Sequence, residues 1–123
     1  MALAQAGQAL PAGRAASPVA AARELDAAHE AHRRLAADLR EAPSTAALAR
    51  ELAHARQLDL AFKRAFGVSM ARHLQETRLT RGRELILNGG LSVSEAAWHV
   101  GYAPAHFSVA FRRRFGAAPS SLR

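Results

Sequence analysis

From Val19 onward, apolar side chains recur at intervals of three and four. Leu25, Ala28, His32, Leu35 and Leu39 trace one stripe, with no Gly or Pro before Glu41. This period predicts one amphipathic helix. Ser17-Pro18 forms its start, a capping hydroxyl followed by proline at the first helical position, and Pro43 forms its end. After Ser44 the stripes shorten. Helices are expected over about 45–52 and over about 55–66, the second closed by Gly67. A longer helix follows over about 69–87, halted by Asn88-Gly89-Gly90. Ser92-Val93-Ser94-Glu95 has the form of a capping box, opening a helix to about residue 100 that turns at Gly101. A last helix over about 104–115 closes at Gly116. No stretch alternates at period two, so the fold class is all-α.

The pattern also repeats. Phe62-Lys63-Arg64-Ala65-Phe66-Gly67 returns 49 residues later as Phe111-Arg112-Arg113-Arg114-Phe115-Gly116. Leu58 precedes the first copy at the offset at which Phe107 precedes the second, and Leu48-Ala49 is echoed by Ala96-Ala97. Wound at 100° per residue, Leu58, Ala61, Phe62 and Ala65 share one face, while Arg56, Leu60, Lys63 and Arg64 share the other. In the second copy Phe107, Ala110, Phe111 and Arg114 lie inward or flanking, and Ala105, Val109, Arg112 and Arg113 face out. Each outward face has small or apolar residues mid-helix and cations toward its end. A single charged face is ordinarily just solvated surface. Two at matched offsets suit helices lying in a major groove, where apolar side chains and arginine meet base edges and the later cations meet phosphates.

Charge strengthens that reading because it is unevenly spread. Residues 1–43 hold five Arg against five acids, whereas residues 44–123 hold eleven Arg and one Lys against five acids, the whole excess of +7. Arginine's planar donor fork suits phosphate and guanine. There is no cysteine, which excludes disulfide scaffolds, thiolate zinc sites and cysteine nucleophiles and fits a cytoplasmic setting. No run of eighteen apolar residues and no secretory leader pattern is present. Residues 1–20 are assigned to a flexible Ala/Gly/Pro tail and 21–123 to the domain. Within it the first unit spans about 44–67, the linker helix about 69–88 and the second unit about 92–116.

Several of these segments together resemble the AraC/XylS family of transcription regulators. Residues Val93 through Tyr102, then His106-Phe107-Ser108 and Phe111 through Pro119, are similar to that family's signature. Leu48-Ala49-Arg50 through Gly67 resembles the other half of its DNA-binding domain, and Arg78-Leu79 the arginine-leucine pair of its linker. The resemblance covers roughly residues 24–123. It implies two helix-turn-helix units joined by a long linker helix, each offering a recognition helix to adjacent major-groove segments about one DNA turn, roughly 34 Å, apart. On that basis Arg56, Gln57, Leu60, Lys63 and Arg64 in the first unit are assigned to DNA, with Ala105, His106, Ser108, Val109, Arg112 and Arg113 in the second. The implied partners are double-stranded DNA and RNA polymerase, the implied role is activation, and no cofactor is implied. Members usually carry an N-terminal sensing domain, for which this chain has no room, so one missing upstream is expected.

The chain departs from the family pattern at three points. Both turns are one residue short, nine residues from Ala49 to Leu58 and six from Gly101 to Phe107, and neither offers a serine to cap the recognition helix. Gly82 stands in the linker where alanine is favoured. It is expected to cost roughly 1 kcal/mol, so that alanine there should stabilise. The six histidines do not form a metal set: His29 and His32 share a helix face without a third ligand, and His54, His73, His99 and His106 are scattered. With no nucleophilic cysteine and no carboxylate spaced as a partner for the histidines, no enzymatic role is expected. The competing reading is a helical interaction module or a truncated regulator with weakened DNA binding, pairing through residues 19–40; Asp59 on a presumed recognition helix and the short turns motivate it.

Overall fold

The computed structural model describes residues 18–52 and 57–122. Six α-helices follow in order: α1 (Pro18–Ala37), α2 (Thr45–Glu51), α3 (Leu58–Phe66), α4 (Met70–Leu87), α5 (Val93–Val100) and α6 (Pro104–Phe115). A 3-10 turn, Pro119–Leu122, ends the described chain. No strand occurs among the described residues. Helix α1 begins at Pro18, inside the stretch assigned to the tail, while Ser17 lies outside the described residues.

Local chemistry accounts for most of the boundaries. Ser44 and Ser69 each accept a hydrogen bond from the third amide of their helix, Ala47 N at 3.0 Å and Arg72 N at 3.1 Å. At α5 both arms of the capping box are present: Glu95 N donates to Ser92 Oγ at 3.1 Å and Ser92 N to Glu95 Oε1 at 2.8 Å. The repeat survives in three dimensions. Gly67 (φ 85°) and Gly116 (φ 83°) close their helices identically, donating to Lys63 O and Arg112 O at 2.8 Å.

Helix α1 stops at Ala37, short of the end expected near Glu41. Asp38 is the cause. Its Oδ1 accepts the amides of Arg40 (3.1 Å) and Glu41 (3.2 Å), offering the backbone a turn in place of another helical step. The buried stripe is also rotated from the expected one. Ala27, Ala28, Ala31 and Leu35 are buried, while Leu25 is 49 % exposed. The reason is the neighbour. Helix α1 lies against α3, whose Phe62 and Phe66 rings fill the space, so alanine allows the close approach that leucine would prevent.

Two cores result. The first gathers Ala28, Ala31 and Leu35 with Leu48, Leu58, Phe62 and Met70; the second gathers Leu79, Ile86, Ala97, Val100, Phe107 and Phe111. The linker α4 serves both, with Met70 and Leu74 at its start in the first and Leu79 and Ile86 in the second. The buried face of α1 is thus occupied within its own chain, while Val19 and Leu25 of the same helix stay exposed. Gly82 lies where α4 meets α6. A Cβ there would stand 2.6 and 2.7 Å from Cε1 and Cζ of Phe107. The expectation that alanine would serve better is therefore reversed: the bare backbone seats a fully buried ring.

Candidate nucleic-acid interface

Each unit places a short helix before its recognition helix, α2 before α3 and α5 before α6. Within α3, Leu58, Ala61 and Phe62 point into the first core, leaving Leu60 (44 % exposed), Lys63 and Arg64 on the outer face. Within α6, Phe107 and Phe111 anchor the helix and leave Val109 (56 % exposed), Arg112 and Arg113 outside. Gln57, Ala105 and His106 are exposed and Ser108 is half-buried, whereas Arg56 lies outside the described residues. The structure thus brings 60, 63 and 64 together on one helix and 109, 112 and 113 on the other, at matching positions of the repeat.

The cations divide into two kinds. No ion pair with a described residue engages Lys63, Arg64, Arg112 or Arg113. Arg114 differs, because its fork spans both oxygens of Glu76 on α4, Nε to Oε1 at 2.6 Å and Nη2 to Oε2 at 2.7 Å. This fork is the main reason the Glu76 carboxyl is held below its ordinary range. Arg114 therefore ties α6 to the linker, whereas its two neighbours have no ion pair with a described residue. Ala65, placed inward by the wheel, is exposed; Phe66, half-buried, packs on the first core instead.

The helix starts carry out one expectation from the short turns. Neither Gln57, ahead of α3, nor Ala103, ahead of α6, makes a side-chain capping bond. Helix α6 compensates with Pro104 in its first turn, and α3 with Asp59, whose charge faces the positive end of the helix dipole. Asp59 thus has a structural task. The turns before them differ: α5 ends on Gly101 at φ 89°, α2 on Leu52 at φ −95°. Among the described residues no group of three or more His, Asp or Glu could hold a metal ion, and no helix is long and apolar enough to cross a membrane.

Residues 48–123 match the family model described as a helix-turn-helix domain. A crystal structure of an AraC-type transcriptional regulator from Chromobacterium violaceum superposes with a TM-score of 0.69 at 28% identity, over 83% of this chain and 93% of that one. The chain belongs to the AraC-type helix-turn-helix family. Among curated relatives of this AraC-type domain, the HTH-type transcriptional regulator GlxA of Rhizobium meliloti is 41% identical over 69 residues, 55% of this chain and 21% of that protein. The virulence regulon transcriptional activator VirF of Yersinia enterocolitica is 33% identical over 63 residues, 50% of this chain and 23% of its own length. The chain thus spans about a fifth to a quarter of the length of these relatives.

Proposed function

We propose that this chain is the DNA-binding module of a transcription regulator, reading two adjacent major-groove segments with α3 and α6. One observation carries the reading: the repeat exposes the same outward positions twice, an apolar residue mid-face (Leu60, Val109) and two cations beyond it (Lys63 and Arg64, Arg112 and Arg113), while the intervening aromatics hold each helix to its core. Leu60 and Val109 sit where a groove-bound helix meets base edges, and the cations sit where it meets phosphates. Gln57, Ala105, His106 and Ser108 complete the surface near the helix starts, with Arg56 adjoining it in sequence. RNA polymerase as a second partner and a cytoplasmic setting belong to the same reading.

The test compares binding of the chain to a duplex selected from random-sequence DNA at several salt concentrations. Replacing Arg112 and Arg113 with alanine weakens binding to every duplex alike and lowers the salt slope by about one for each phosphate no longer neutralised. Replacing Leu60 or Val109 with alanine reorders preference among sequences and leaves the slope in place. Unchanged affinity and slope in the double arginine variant would overturn the groove-facing assignment.

A further inference from the structure

The linker α4 contributes to both cores, yet a helix that touches two bodies still lets each roll about it. A second connection joins the end of α1 to both the linker and the second unit. Asp38 turns the chain at the end of α1, and Leu39 leaves the first unit to pack against the second core. The Leu39 carbonyl accepts both arms of the Arg78 fork, Nε at 3.0 Å and Nη2 at 2.7 Å. Arg40 donates Nη1 to the Trp98 carbonyl of α5 at 3.1 Å and lays its guanidinium 3.7 Å from the centroid of the Trp98 ring. Gly101 closes the junction. A Cβ there would stand 2.9 Å from Leu39 O, 3.0 Å from Arg78 Nη2 and 3.1 Å from Arg40 Cα, and its φ of 89° already favours glycine.

Three elements therefore meet without room for a methyl group: the turn after α1, the middle of α4 and the end of α5. Since α1 is fastened into the first core by Ala27, Ala28, Ala31 and Leu35, these contacts close a ring from first unit to linker to second unit and back. Ring closure removes the roll that a linker alone would permit.

We propose that the node of Leu39, Arg40, Arg78, Trp98 and Gly101 positions the two recognition helices relative to each other and so sets the spacing between DNA segments that the chain accepts. The spacing half of this inference rests on the DNA-reading function above; the geometric half does not. Shifting one segment by a base pair displaces and rotates its groove by about a tenth of a turn, a mismatch a rigid pair of heads cannot follow.

The experiment has two arms. In the first, the unmodified chain, Arg78→Gln/Arg40→Ala and Arg78→Lys bind a selected duplex whose two segments are moved by one or two base pairs. The unmodified chain loses roughly tenfold or more at the wrong spacing, the gain from simultaneous engagement being forfeited. The double variant varies by no more than about threefold across the set and still binds a duplex carrying one segment as before. Arg78→Lys is intermediate, because a point charge cannot reproduce a two-armed fork.

In the second arm, without DNA, nitroxide labels at Ala65→Cys and Ala117→Cys report the distance between the units by pulsed EPR. Both sites are exposed, and the chain has no other cysteine. The distribution is narrow in the parent and broadens in the double variant. Arg40→Ala alone, which leaves both cores intact, broadens it to a smaller degree and serves if the double variant does not fold. An unchanged distribution overturns the node as a positioning device whatever DNA does. Absence of selective DNA binding by the unmodified chain overturns the function proposed above and leaves the EPR arm to decide the geometry.

Discussion

Gly82→Ala adds a single methyl group to the middle of α4, a change that helix propensity alone would reward by about 1 kcal/mol. The added carbon would lie 2.6 and 2.7 Å from two atoms at the tip of Phe107 and 3.7 Å from Val100 Cγ2. Ordinary carbon contacts lie at about 3.5–4.0 Å, so the ring must retreat by about 1 Å. It has nowhere to go cheaply. Phe107 is fully buried, with Tyr102 and Phe111 at centroid distances of 5.9 and 5.6 Å. Overpacking of this kind costs about 1–3 kcal/mol. Net of propensity, the variant is destabilised by about 1 kcal/mol, a fall in Tm of roughly 4–8 °C for a domain of this size. Thermal and urea unfolding measure it directly. Phe107→Leu supplies the control: without the ring's tip the clash disappears, and Gly82→Ala in that background becomes stabilising. A double-mutant cycle should therefore show coupling of about 2 kcal/mol. A raised Tm for Gly82→Ala in the native background would refute the reasoning.

Two further outcomes follow from the first unit. Gln57→Ser, which puts a hydroxyl at the bare N-cap of α3, should raise Tm, and Ala103→Ser should help less, because α6 already has proline in its first turn; a lower Tm for Gln57→Ser would mean that this helix start is an adapted geometry. His73 packs against Phe62, and its ring lies 4.7 Å from that of His32; burial first, and His32 second, lower its pKa from 6.5. A lowered histidine pKa favours the neutral form in the folded state, so this contribution is full above 6.5 and is lost as pH falls through the folded-state value. The urea midpoint should therefore drop on acidification below neutrality and His73→Phe should flatten that drop, whereas an identical pH dependence in the variant would remove His73 from the account.

The candidate surface was legible for a definite reason. The repeat of Phe-Lys/Arg-Arg-Ala/Arg-Phe-Gly carries its own phase, so once the phenylalanines point inward Lys63, Arg64, Arg112 and Arg113 between them must point out, and so must Leu60 and Val109, two residues before the first phenylalanine of each copy. The same geometry did not disclose that Arg114 is taken by Glu76, 38 residues away, because a helical wheel shows which way a side chain leaves its helix and not what waits there.

What the chain determined by itself is what hydrogen bonds within a few residues decide. Ser44, Ser69 and the Ser92–Glu95 box open their helices, and Gly67, Gly101 and Gly116 close theirs, because donor and acceptor are neighbours along the backbone. Asp38 belongs with them in principle, since its turn is equally local. The tertiary structure decided where atoms distant in sequence compete for the same volume. Alanine is preferred to leucine on the buried face of α1 because phenylalanine rings from α3 already fill the gap. Glycine stands at 82 because Phe107 needs the space, and Leu39 serves the second unit because Arg78, 39 residues on, presents a fork to its carbonyl. Periodicity shows which faces are apolar; only close packing between elements selects the side chain that fits.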